Sequence, residues 1–362
     1  MTTGFLWHEL FAWHNSGGYP DFLVEPTGSS DAPEGKRRIR NLIEVSGLLE
    51  RLTTLPIQEA TDEDILRVHT AEYLAHVKEI DKVGGLVGRN AHIGQGGLRI
   101  VRLAAGAAIS AVDAVIDGAV TNAYALVRPA GHHASPGVGA GFCIVNNVAI
   151  AARHAQARKG IRRVAIVDWD VHHGNGSQEV FWEDPSVLTI SIHQDLLYQA
   201  IGGHVTETGA NAGAGANINI PLPPGSGNDA YLEVMTRVVV KALDRFKPDL
   251  ILVASGLDAT SHDSLGRMNL YSDSYRAMTS LLMDAAARLC SNRLALIHEG
   301  GYSSTVTPFV GLAIIETLSG ISTGVVDPFS VNVKKHPWQR LQPHQDAVIR
   351  QAEHCLPNVP LG

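Results

Sequence analysis

Cysteine is scarce. Cys143, Cys290 and Cys355 are odd in number, far apart and without a Cys-x-x-Cys pair, which excludes a disulfide-built scaffold and points to a reducing compartment. Long apolar runs are missing too: no stretch approaches the ~20 residues that a membrane span requires. Met1-Thr2-Thr3-Gly4 lacks the basic and apolar regions of a secretion signal, so a soluble cytoplasmic protein without membrane contact is expected. Runs of one charge are equally absent. The longest basic block is Lys36-Arg37-Arg38, and 29 basic against 36 acidic residues leave a formal charge of −7. That balance argues against a nucleic-acid partner and favours a small or neutral-to-cationic one. No internal repeat, low-complexity tract or clear linker divides the chain.

What is present is globular: 45% hydrophobic and 18% charged residues over 362 positions, a length that suits either two domains or one large α/β domain. From about residue 120, short β-branched runs alternate with longer helical patterns. Ala123 to Val127, Val164 to Asp168, Val187 to Ile192, Leu250 to Ala254 and Leu294 to Ile297 read as strands; short apolar runs without alternation suit a parallel sheet covered on both faces. Val145 to Arg158, Ala230 to Phe246, Ser272 to Leu289 and Thr307 to Leu318 carry helical spacing, so β then α repeats and a doubly wound sheet is expected. Earlier, Thr61-Asp62-Glu63-Asp64 opens a helix running towards Ile80 from a capping-box-like start, and Leu98 to Asp117 is an alanine-rich helix. Two long loops, Phe22 to Glu34 and Gln194 to Asn217, interrupt this pattern; loops of such length are often functional.

Open α/β sheets bind ligands beyond the carboxyl ends of their strands. After Val127 comes Arg128-Pro129-Ala130-Gly131-His132-His133, and after Val167 comes Asp168-Trp169-Asp170-Val171-His172-His173-Gly174-Asn175-Gly176. Ser255-Gly256-Leu257-Asp258 follows Ala254, and His298-Glu299-Gly300-Gly301-Tyr302 follows Ile297. Asp170 and His172 are two apart in a segment leaving a strand, so both side chains can point to one side, and Asp258 can close the set from a neighbouring strand. One imidazole and two carboxylates bind Zn²⁺ with a position open for water and substrate. A strand-end carboxylate capping a helix explains any one of these residues alone, but needs coincidence at three strand ends.

These four segments together resemble the zinc-dependent histone deacetylase family, in particular its bacterial histone-deacetylase-like amidohydrolase and acetylpolyamine amidohydrolase branch. The resemblance runs from about residue 19 to 320, leaving 321–362 as a C-terminal extension of a single catalytic domain spanning 1–362. It implies the arginase/deacetylase fold, a single α/β domain with a central eight-stranded parallel sheet flanked by helices. It also implies hydrolysis of an acylated amine to a carboxylate and a free amine, with one Zn²⁺ per chain. On that resemblance Asp170, His172 and Asp258 are the zinc ligands, His132 and His133 the tandem catalytic histidines, and Tyr302 the residue that stabilises the transition state. His133, oriented by Asn175, suits general base and then acid duty; His132 stays protonated where Asp168 accepts its ring N–H. A potassium site is implied beneath the zinc from Asp168, Asp170, His172, Ser191 and Ile192. Bacterial relatives and the two long loops together point to a homo-oligomer, a dimer or tetramer, over the tunnel mouth.

Departures from the family concern the substrate. Gly141 and Phe142 match one wall of an acyl-lysine tunnel; Tyr198 is the candidate for the opposite wall, although Gln199 follows it where relatives carry proline, and Gly301 is expected near the tunnel through its Gly-Gly turn. Ala130 replaces a proline usual in the histidine motif. Polyamine-selective members carry an acidic gatekeeper seven residues past the last zinc aspartate, where this chain has Leu265. Glu25, Glu34 and Glu207 lie in long loops and leave acetylpolyamines open as the alternative substrate. An arginase-like ureohydrolase predicts another aspartate two past Asp258, where Thr260 stands, and a non-catalytic acyl-ligand binder predicts loss of Tyr302 or a histidine; neither is lost.

Overall fold

A computed structural model describes residues 1–17, 30–158, 160–198 and 202–362. Eleven strands form among them: β1 (Thr3–Leu6), β2 (Thr53–Thr54), β3 (Gly85–Arg89), β4 (Ala91–Ile93), β5 (Asn122–Ala125), β6 (Gly139–Ala140), β7 (Val164–Asp168), β8 (Val187–Gln194), β9 (Asn217–Leu222), β10 (Leu250–Ser255) and β11 (Leu294–His298). Eight of them make one parallel sheet in the order β2-β1-β5-β11-β10-β7-β8-β9. The expected single eight-stranded parallel sheet is therefore present.

The side-chain alternation of a strand divides each central strand between two cores. Along β7, Val164 and Ile166 join one apolar cluster while Ala165 and Val167 join the other; along β10, Leu250 and Leu252 part from Ile251 and Val253 in the same way. Each of these residues is buried, which is why the strands read as unbroken apolar runs. Residues 321–362 fold back onto the same body. Ile349, Ala352 and Val359 enter one of the two cores, and Arg237 pairs with Asp346 and Glu353, each at 2.6 Å.

Two helices differ from expectation. The helix opened by Thr61 stops at Leu66 and a second spans Ala71–Asp81. Thr70 is the reason: its extended backbone (φ −70°, ψ 154°) and its Oγ1, accepting from Tyr73 N–H, start a new N-terminus. The helix expected from Ala230 to Phe246 forms, but with a π-helical turn over Met235–Val239. The first long loop lies mostly outside the described residues, and its end is already helix, Glu34–Val45.

Candidate active site

The strand order brings the four segments to one rim, because β5, β11, β10 and β7 are consecutive neighbours and their parallel carboxyl ends align. Asp170, His172 and Asp258 offer ligand atoms that all lie within 4.8 Å of one another, and all three are buried. His172 Nδ1 is 3.0 Å from Asp170 Oδ1 and 3.2 Å from Asp258 Oδ2. The remaining carboxylate oxygens are held by backbone: Val171 N–H donates to Asp258 Oδ1 at 2.8 Å and Gly300 N–H to Asp170 Oδ2 at 2.8 Å. Residue 300 has to be glycine, since a Cβ there would sit 2.1 Å from Asp258 Oδ2 and 2.6 Å from Asp170 Oδ2.

This donor set fits a divalent cation. Asp258 Oδ2 is buried, has no well-aligned hydrogen bond, and faces only the His172 ring nitrogen at 3.2 Å, an expensive state for a carboxylate oxygen. Burial and the adjacent Asp170 push the Asp258 carboxyl up to about 7. Burial opposes charge on His172, but Asp170 and Asp258 outweigh it and raise the ring to about 10. A bound cation would relieve this crowding of carboxylates and displace protons from the group.

The tandem histidines stand beside this group with their rings 4.0 Å apart. His132 Nδ1 lies 2.9 Å from Asp168 Oδ2, and His133 Nδ1 2.6 Å from Asn175 Oδ1. These two partners give the rings different states. Burial disfavours a charged His132, yet the Asp170 and Asp168 carboxylates outweigh it and hold its pKa well above the usual value. Burial, followed by the neighbouring His132 and His172, holds His133 well below it. His133 is therefore neutral, and because Asn175 Oδ1 is an acceptor the ring proton sits on Nδ1, leaving Nε2 free to take one.

A cavity of about 270 Å³ opens onto this group. Phe142, Tyr198, Leu265, Gly141 and Tyr302 line it together with His133 and His172. Gly141 adopts φ +52°, where a Cβ would meet His133 Cδ2 at 2.3 Å. Phe142 is fastened by its N–H to the carbonyl of Asn90, which follows β3, at 2.8 Å. The Tyr198 ring packs 4.5 Å from His133, and the Tyr302 ring 6.1 Å from Phe142. Burial, then Asp258 and Asp170, hold the Tyr302 phenol well above its usual pKa, so its hydroxyl remains a donor. A larger groove of about 430 Å³, beside Asp64, Asp113 and His154, contains none of the strand-end residues.

Other expected residues fall elsewhere. Gly301 is buried but does not line the cavity; its φ of +130° shapes the turn that carries Tyr302. Ser191 is opposite Asp168 in the β7–β8 register, and the Ile192 side chain is in the apolar core. Glu207 is no rim charge: its Oε2 accepts from Gln178 Nε2 at 2.8 Å and Gly203 N–H at 2.9 Å, which pins the loop before β9. Glu34 is an exposed first-turn residue of its helix. Glu25 and Gln199 lie outside the described residues.

Several supporting residues carry no local sequence signal. Asp263 accepts Tyr302 N–H at 2.7 Å and Leu265 N–H at 2.8 Å, tying two parts of the cavity wall together. Lys36 Nζ lies 5.4 Å from the Tyr302 ring centroid and 2.9 Å from Asp31 Oδ1, and Asp31 Oδ2 accepts from Arg128 Nε at 2.9 Å. Their partners are distant in sequence, so no spacing announces them. Glu299, by contrast, stands inside a recognised motif.

Known proteins resemble this chain in sequence and in fold. The chain is 48% identical over 335 residues, 90% of its own length and 88% of the relative's, to a histone deacetylase-like amidohydrolase of Pseudomonas aeruginosa. It is 33% identical to a probable deacetylase of Archaeoglobus fulgidus, with 99% and 97% of the two chains covered. The crystal structure of the HDA15 HD domain superposes with a TM-score of 0.86 at 29% identity, covering 98% of this chain and 94% of that one. Residues 31–318 match the histone deacetylase domain, a span that takes in all four strand-end segments, and the chain is a member of the histone deacetylase family.

Proposed function

We propose that this protein is a zinc-dependent amidohydrolase that removes the acyl group from an N-acylated primary amine, leaving a carboxylate and the free amine. The observation that carries this reading is that one cavity is lined by His133, Tyr302 and His172, and that His172 belongs to a buried group of three possible metal donors with Asp170 and Asp258. Asp170, His172 and Asp258 would hold the zinc, with His172 using Nδ1. When bound, zinc supplies Lewis acidity towards water and an amide carbonyl.

The chain's own residues supply the rest. His133 Nε2 takes a proton from the attacking water and later returns one to the departing amine, a sequence that requires the ring to begin neutral. Asn175 fixes the tautomer that makes this possible. His132, kept charged by Asp168 and Asp170, provides positive charge beside the developing oxyanion. The Tyr302 hydroxyl donates a hydrogen bond to that oxyanion. The aromatic faces of Phe142 and Tyr198 suit an aliphatic acyl-amine stem. A potassium ion held by Asp168, Asp170, His172, Ser191 and the Ile192 carbonyl would offset carboxylate charge and stiffen the zinc ligands; the adjacency of Asp168 and Ser191 across β7 and β8 supports it. The cytoplasmic setting and a dimer or tetramer remain part of this proposal, supported by the scarcity of cysteine and the resemblance to bacterial relatives. No helix among the described residues is long and apolar enough to cross a membrane.

On substrate, no Asp, Glu, Lys or Arg lines the cavity among the described residues, which favours acyl-lysine or small neutral acyl amines over acetylpolyamines. The dinuclear ureohydrolase reading loses further ground because the Thr260 hydroxyl donates to the Leu257 carbonyl at 3.1 Å. Competition between acetyl-lysine peptides, acetylpolyamines and small N-acyl amines, compared by kcat/KM, tests the assignment. Leu265→Glu is expected to raise the relative kcat/KM for acetylpolyamines about tenfold, the value of ~1.4 kcal/mol of favourable rim electrostatics. Unchanged relative specificity across the panel would remove Leu265 from that role.

A further inference from the structure

The loop that carries the tandem histidines leaves β5, and most of its backbone is fastened nearby. Ala134 N–H donates to the Gly131 carbonyl, the Pro129 carbonyl accepts from Asn147 Nδ2, and the His132 carbonyl accepts from Ser177 N–H. Two buried backbone donors, Gly131 N–H and His132 N–H, point elsewhere. Both reach a single atom, Glu299 Oε2, at 2.6 and 3.1 Å. Glu299 follows β11, the strand beside β5, and is itself fully buried. Its other oxygen, Oε1, is buried with no hydrogen-bond donor, and its carboxylate clusters with the His132 ring and the Cys143 thiol. The residue after Glu299 holds the metal ligand Asp170 through Gly300 N–H. One short stretch thus fastens both the histidine loop and a metal ligand.

We propose that Glu299 is a positioning residue for the reaction, its Oε2 setting the depth of the Gly131-His132-His133 backbone and with it the distance of both imidazoles from the metal donors. The inference rests on the amidohydrolase reading above. The reach of the side chain is what matters. A carboxylate one methylene shorter draws its acceptor back from the two N–H groups, whereas a glutamine keeps an acceptor oxygen at the same length without the charge. Gly131 packs closely against Asn147, where a Cβ at residue 131 would fall 2.4 Å from Asn147 N, so only glycine lets the loop lie at this depth.

Glu299→Gln, Glu299→Asp and Glu299→Ala separate reach from charge and from folding. The full-length protein loaded with zinc is measured for kcat, KM, zinc content and thermal midpoint. Because misplacement of about an ångström costs up to ~100-fold in rate, Glu299→Asp and Glu299→Ala are expected to lose at least about tenfold in kcat. KM and zinc stoichiometry should stay as in the parent, and Glu299→Gln should keep at least about a third of the parental kcat. If Glu299→Ala fails to fold, the Asp and Gln variants decide alone. The inference is overturned if Asp equals or exceeds Gln, if all variants match the parent, or if the loss appears in KM or zinc content instead. A parent without turnover on any acyl amine overturns the amidohydrolase reading itself, so the two failures are distinguishable.

Discussion

Asp258→Ala is expected to abolish stoichiometric zinc and, with it, turnover. The two donors left, Asp170 and His172, cannot hold a catalytic metal that also keeps a position open. Loss of even an outer-shell partner costs 10–100-fold in affinity, so removal of a ligand should exceed ~100-fold. The fold should survive. Val171 N–H loses its acceptor, a cost of about 1–3 kcal/mol, but a carboxylate that is crowded against Asp170 in the metal-free chain is relieved at the same time. Metal analysis after dialysis, paired with a thermal midpoint, checks both halves. One zinc per chain in the folded variant would contradict the ligand assignment.

Tyr302→Phe is the second large effect and has the opposite signature. The Tyr302 ring is held by edge contact with His172 at 6.2 Å and by Phe142, and its backbone by Asp263. A phenylalanine should occupy the same place, with zinc content and KM little changed. What disappears is one hydrogen-bond donor to the oxyanion, worth about 10²–10³ in kcat. A variant with full kcat would leave the hydroxyl without a role. A variant that loses zinc would mean that the tyrosine acts through the metal site instead.

Part of this architecture is legible from the chain alone, for reasons that lie in particular residues. β7, β10 and β11 are buried on both faces, so their sequences are unbroken apolar runs, and the polar residues that follow them mark the functional rim. β1 and β9 escape notice because they lack that signature. β1 is only Thr-Gly-Phe-Leu, and β9, Asn-Ile-Asn-Ile-Pro-Leu, alternates polar with apolar and contains Pro221, which an edge strand tolerates. β2 has two residues. The break between Leu66 and Ala71 was hidden by continuing helical spacing, and only the N-cap at Thr70 explains it.

The site divides along the same line. The candidate metal donors and the tandem histidines sit at strand ends, where side-chain parity and chain order fix their neighbours. Asp31, Lys36 and Asp263 act through partners in other segments, and nothing local in the sequence connects Lys36 with Tyr302. Glu299 belongs to the segment Glu299-Gly300-Gly301-Tyr302, but its partners are the backbone N–H groups of residues 131 and 132, and backbone contacts across the fold leave no mark on side-chain spacing. Glu207 is the reverse case: its place in a glycine-rich loop suggests a free charge, whereas Gln178 and Gly203 hold it.

Turnover of an acetyl-lysine reporter in four samples of the same preparation tests the central claim most directly: zinc-loaded, metal-stripped, zinc-restored, and zinc-loaded Tyr302→Phe. Hydrolysis should vanish on stripping, return with zinc, and remain at about 10⁻²–10⁻³ of the parental kcat in the variant. Equal rates in all four samples would contradict an amide hydrolysis that depends on the Asp170, His172 and Asp258 metal site and on the Tyr302 hydroxyl.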